Sequence, residues 1–152
     1  MSRSYVLDTS ALLNLLRGRE LGELIDRTFR LREAPYLHTL SVVTHAELWV
    51  LIDRNKWRED KKSIVERVLQ EFVTVDVAGS LIVSAYRRVE AASAGIAMGK
   101  NDIWIAATAV ITGLPIVTTD KDFNHLNGKL IDVQYIDPKS IRIPGKASEI
   151  LP

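Results

Sequence analysis

The sequence contains no cysteine, so disulfides and thiolate metal sites are excluded and a reducing cytoplasm is the expected compartment. It also lacks an apolar run of membrane length. The longest stretch without a charge begins at Ile103, is interrupted by Gly113 and Pro115, and falls short of the roughly 20 residues that cross a bilayer. The chain enters a strand-like Tyr5-Val6-Leu7 without the apolar core of a secretion signal. No excess of one charge is present either: 20 Lys and Arg against 19 Asp and Glu leave a net charge of +1, and bulk electrostatics alone does not single out nucleic acid as a partner. Three local motifs are absent as well. There is no GxxxxGK phosphate loop, no GxSxG nucleophile elbow and no HExxH zinc pair. His38, His45 and His125 therefore read as structural or surface residues.

What remains is ordinary globular composition, 47% hydrophobic and 26% charged over 152 residues, enough for one domain with a real core. Short apolar runs alternate with helical periodicity. Tyr5–Leu7, Tyr36–Leu40, Val73–Val75, Pro115–Val117 and Val133–Ile136 read as strands. Helices are expected from Ala11 to Leu16, from Glu20 to Arg32 (ended by Pro35), after Ser41, over Asp60–Phe72, over Ser80–Ser93 and from Asn101 to Thr112, with Gly18 and Gly113 as stop signals. The alternation predicts an α/β domain, a three-layer α/β/α sandwich with a mostly parallel central sheet of about five strands. Residues 1–137 form this domain and 138–152 lose periodicity, as a tail or arm would.

In open parallel sheets, sites form outside the carboxyl ends of the strands, and two of these strands end in acids. The first runs into Asp8. The fourth, through Thr118 and Thr119, runs into Asp120, with Asp122 two positions on. Asp102 opens a helix expected to begin at the same edge, and Glu47 lies within the apolar helical segment His45–Val50. Singly, each has an ordinary explanation as a helix cap, a dipole partner or a turn acid. Jointly they would collect carboxylates at one edge, where each raises the pKa of the others unless a cation intervenes. An oxygen-only ligand set suits Mg²⁺ or Mn²⁺ better than Zn²⁺.

Four short motifs in order carry a family resemblance: Asp8-Thr9-Ser10 after a strand, Ala46-Glu47-Leu48, Asn101-Asp102-Ile103-Trp104-Ile105-Ala106-Ala107, and Thr118-Thr119-Asp120-Lys121-Asp122-Phe123. Together they resemble the PIN-domain ribonucleases, and the compact size resembles the VapC-type toxins of toxin–antitoxin pairs. The resemblance spans Ser4 to Asp137. It implies a PIN-like fold and a Mg²⁺- or Mn²⁺-dependent endoribonuclease that hydrolyses RNA phosphodiesters with metal-activated water. By position Asp8, Glu47, Asp102 and Asp120 match the family's acidic quartet, with Asp122 as a further metal ligand or a substitute for Asp120. Thr9, Ser10 and Thr118 match its supporting hydroxyls. The resemblance also implies a homodimer and a small cognate antitoxin whose C-terminal segment blocks the acidic pocket.

Lys100 and Lys121, each beside an expected ligand, are the first candidates for RNA phosphate contacts, with Arg17, Arg54 and Lys56 behind them; plain solubility explains all five equally well. Asp8 is expected to serve the metal, leaving Thr9 or Ser10 to cap the following helix. Two phosphoryl-transfer alternatives fit poorly. A haloacid-dehalogenase phosphatase needs a second Asp where Ser10 stands, and a receiver domain needs an early acidic pair and a late strand Lys that the sequence does not supply. A processing ribonuclease for ribosomal or transfer RNA without an antitoxin, and a non-catalytic RNA-binding module, stay open.

Overall fold

The structure, a computed structural model, describes residues 3–33 and 37–141. The elements run β1 (Val6–Leu7), α1 (Thr9–Arg17), α2 (Glu20–Phe29), β2 (Thr39–Ser41), α3 (Val42–Arg54), α4 (Glu59–Leu69), β3 (Val73–Val75), α5 (Ser80–Ala92), α6 (Lys100–Thr112), β4 (Ile116–Thr118) and β5 (Val133–Tyr135), with 3-10 turns at Lys121–Leu126 and Pro138–Ser140. The strands form one five-stranded sheet in the order β3-β2-β1-β4-β5. Every strand pairing among the described residues is parallel, which tightens the expected "mostly parallel".

Because side chains alternate along a strand, the sheet divides its apolar residues between two helical layers. Leu7, Leu40 and Val117 pack with Leu12, Leu21, Ile25, Leu48, Ile52, Val65 and Leu69 from α1 to α4. Val6, Ile116 and Val133 pack on the other side with Val89, Ile103, Ala106 and Ala109, and with Phe123 and Leu126 of the 3-10 turn. Burying a side chain of this size from both sides contributes about 1.5–3 kcal/mol.

Local signals set most boundaries. Gly18 takes a left-handed φ of 63° and closes α1, and Gly113 at φ 67° does the same for α6. Ser41 ends β2 and caps α3, its side chain accepting from Val43 N. The helix expected to reach Arg32 instead stops at Phe29, because Arg30 adopts a left-handed φ of 53° and donates its N–H to Asp26 O. The Asp26 side chain then takes the Arg32 N–H and pairs with the Arg32 guanidinium, holding the exit turn. The helix expected over Asp60–Phe72 is α4, shifted to Glu59–Leu69. The second strand is Thr39–Ser41 rather than Tyr36–Leu40, and Pro35 and Tyr36 lie outside the described residues. Of the expected tail, 138–140 form a short 3-10 turn and 142–152 lie outside the described residues. No helix among the described residues is long and apolar enough to cross a membrane.

Candidate active site

The register of the two central strands begins the site. Leu7 pairs with Val117, so the next residues, Asp8 and Thr118, meet side by side where β1 and β4 end. Asp8 is 2% exposed. Its Oδ1 accepts the Ala11 N–H at 2.8 Å, making Asp8 itself the N-cap of α1. Its Oδ2 accepts the Thr118 hydroxyl at 2.6 Å, and the Ser10 hydroxyl lies 2.8 and 2.9 Å from the two oxygens. The expectation that Thr9 or Ser10 caps the helix is therefore corrected. One buried carboxylate accepts the cap bond on one oxygen and the cross-strand bond on the other. Ser10 Oγ also accepts the Thr119 N–H, and Thr118 Oγ1 the Asp120 N–H, which fastens the end of β4 to the start of α1.

Thr9 turns away from this network toward α3. Its hydroxyl donates to Glu47 Oε1 at 2.7 Å and lies 3.3 Å from the hydroxyl of the buried Thr44. Asp102 stands in the first turn of α6. Asp120 caps the 3-10 turn, accepting the Asp122 N–H at 2.9 Å. One carboxylate oxygen from each of Asp102, Asp120 and Asp122 lies within 4.8 Å of the other two. Asp8 and Glu47 fall outside that tight trio but within its field. Desolvation first, then the charges of Asp120, Glu47, Asp8 and Asp122, push the Asp102 carboxyl up to about 7. Burial pushes Asp8 up to about 6, the charge of Asp120 adding to the rise and the hydrogen bonds from Thr118, Ala11 and Ser10 opposing it.

Among the described residues, none of these five carboxylates is held in an ion pair with a Lys or Arg. Lys100 and Lys121 are exposed and adjoin the trio in sequence. Arg17 ends α1, roughly 13.5 Å of helix away from Asp8 at 1.5 Å per residue, and Arg54 likewise closes α3. The histidines carry more hydrogen bonding than their sequence context suggested. His38 is buried between Tyr5 N and Leu31 O, His45 Nε2 lies 2.8 Å from Thr74 Oγ1, and His125 Nε2 lies 2.7 Å from Ser93 Oγ.

Oxygen donors alone, partly desolvated and without an ion-paired Lys or Arg among the described residues, fit a hard divalent ion, which would offset the burial and the mutual repulsion that raise Asp102. A parallel α/β sheet with such a cluster at its carboxyl edge is a candidate site for divalent-metal chemistry. A PIN domain family model matches residues 5–129. The chain belongs to the PIN domain family.

Among curated relatives, Ribonuclease VapC5 of Mycobacterium tuberculosis is 33% identical over 127 residues, covering 81% of this chain and 87% of the relative. Similar solved structures include VapBC-5 of the VapBC family of toxin–antitoxin systems from the same organism, at 27% identity and TM-score 0.65, covering 88% of this chain and 98% of that one. VapBC2 from Rickettsia felis, bound to a DNA fragment from their promoter, matches in fold at TM-score 0.73 and 19% identity, covering 89% and 100% of the two chains.

Proposed function

We propose that this protein is a VapC-type endoribonuclease, the toxin of a toxin–antitoxin pair, with Mg²⁺ or Mn²⁺ held by Asp102, Asp120 and Asp122 and by Asp8 and Glu47 around them. The observation that carries the reading is the trio of carboxylates within 4.8 Å, free of ion pairs among the described residues, in a chain 33% identical to a ribonuclease of that type. When bound, a divalent ion supplies a lowered pKa for a coordinated water and charge stabilisation at the phosphate.

The protein's own side chains do the rest. Asp8, fixed by the Ala11 N–H, Ser10 and Thr118, holds one wall of the site rigidly. Thr9 holds Glu47 of α3. Lys100 and Lys121, both exposed and close in sequence to the acids, are available to substrate phosphates, where positive charge fixes register without reading sequence. The hydroxyls of Thr9, Ser10 and Thr118 are already committed to carboxylates, so no side chain is offered as a nucleophile. Water attacks phosphorus and the 3′ oxygen leaves, giving 5′-phosphate and 3′-hydroxyl ends.

The same reading places the protein in the cytoplasm with its RNA, as a homodimer bound by a small antitoxin. The neighbouring structures are VapBC complexes, which supports the antitoxin as partner. Incubating the purified protein with RNA and Mn²⁺ tests the activity. Cleavage that chelation stops and that leaves 5′-phosphate ends is expected; a 2′,3′-cyclic phosphate product would sink the mechanism. A monomeric mass by light scattering would overturn the dimer.

A further inference from the structure

Ser93, the C-cap of α5, is 5% exposed. Its hydroxyl lies 2.7 Å from His125 Nε2 and 3.6 Å from Met98 Sδ. His125 belongs to the 3-10 turn that carries Asp122, and Met98 to the loop that leads into α6 and Asp102. A single buried hydroxyl thus touches both chain segments that bring the three clustered acids together. It is not a nucleophile: it is shielded from solvent, and among the described residues no carboxylate orients His125.

The two segments need something to hold them. Carboxylate oxygens of Asp102, Asp120 and Asp122 within 4.8 Å repel one another before a cation arrives. The N-terminus of α6 has no side-chain cap, since Gly99 occupies that position, and residues 94–97 before it are exposed. Packing supplies part of the restraint, because Phe123 and Leu126 are fully buried against Ile103 and Ala106. Those contacts set how close α6 and the turn approach, but apolar packing is non-directional. Among the described residues, the directional link between the turn and the loop before α6 runs through Ser93, whose hydroxyl donates to Met98 Sδ and shares a 2.7 Å hydrogen bond with His125 Nε2.

We infer that the Ser93–His125 pair is a positioning contact that sets the separation of Asp102 from Asp120 and Asp122, and through it the affinity for a divalent cation. This rests on the reading of the trio as the cation site. Supporting partners of metal ligands commonly cost 10- to 100-fold in affinity when lost, and this pair acts one step further out. The expected loss is at the lower end, roughly tenfold.

The test is a calorimetric Mn²⁺ titration of the full chain for wild type, Ser93→Ala, His125→Ala, the double variant, His125→Gln and Asp102→Asn. Thermal melts are run with and without Mn²⁺. Each Ala variant is expected to bind roughly tenfold more weakly, with little further loss in the double variant, because both changes remove one bond. His125→Gln, whose amide can still donate to the Ser93 hydroxyl, is expected to recover most of the affinity. Ser93→Ala deletes one oxygen only and carries the test if His125→Ala does not fold. A merely structural pair would lower the melting temperature equally with and without Mn²⁺, whereas a positioning pair lowers it more with Mn²⁺ present. Folded Ala variants that bind Mn²⁺ as tightly as wild type, while Asp102→Asn does not, overturn the inference and leave the site standing. A wild type that binds no Mn²⁺ overturns both.

Discussion

The Thr118 hydroxyl donates a 2.6 Å hydrogen bond to Asp8 Oδ2 across 110 positions of sequence. It joins the ends of the two central strands and is the largest influence opposing the rise in the Asp8 pKa. Thr118→Val, close in shape but without the hydroxyl, leaves a buried carboxylate short of one donor. The expected cost is about 1–3 kcal/mol in denaturant unfolding, with a fall in RNA cleavage. Thr118→Ser keeps the hydroxyl and is expected to retain most of both.

Asp8→Asn separates chemistry from folding. The amide oxygen can still accept the Ala11 N–H and so preserve the cap of α1, and the Ser10 and Thr118 hydroxyls can rotate to accept from the amide nitrogen. The melt is expected to stay near wild type while metal-dependent cleavage falls by on the order of 100-fold or more. Full activity in this variant would remove Asp8 from the site.

The raised carboxyls make the metal-free protein sensitive to pH. Asp102 at about 7 and Asp8 at about 6 both sit above the ordinary 3.8. Between those values the folded state holds protons that the unfolded chain has released, so stability falls as pH rises. Their contribution is fully present below pH 4 and lost by about pH 7. Melts in the presence of a chelator are expected to show a decline over that window. Mn²⁺ affinity is expected to run the opposite way, strengthening as pH rises toward 7, because the ligands bind only when deprotonated. A flat profile for both would contradict the clustering.

Gly22 illustrates a constraint of a different kind. It lies inside α2, where glycine costs up to about 1 kcal/mol relative to alanine. Yet a Cβ there would collide with the backbone carbonyl of Asn14, because α1 and α2 cross at that point. Gly22→Ala is expected to destabilise by about 1–3 kcal/mol in urea unfolding, overpacking outweighing the gain in helix propensity.

Residues whose structure is decided locally were legible in the sequence. The apolar Val6-Leu7 followed by Asp8, the Ser41 cap, and the stops at Gly18 and Gly113 all declared themselves through near neighbours in sequence. The strand-end acids were legible because a parallel sheet gathers strand ends at one edge, whatever the strand order. The order β3-β2-β1-β4-β5 itself depends on long-range pairing and left no local trace. Arg30 ends α2 without the glycine that normally marks such a turn, so the helix read three residues too long. His125 read as a structural or surface residue, but its partner Ser93 was not legible, because neither falls in a motif and their 2.7 Å contact spans 32 positions. Asp8 was read as leaving the cap to Thr9 or Ser10, whereas its own Oδ1 takes the cap bond.

The sheet order carries a consequence for synthesis. β1 is made first yet lies at the centre of the sheet, and one of its edges stays open until β4, made more than a hundred residues later, fills it. Asp120 and Asp122 arrive with that same late segment. A chain interrupted between α3 and β4 holds Asp8 and Glu47 but lacks both the central pairing and most of the acidic trio. The carboxyl-edge cluster is therefore completed only when the last third of the chain has been made.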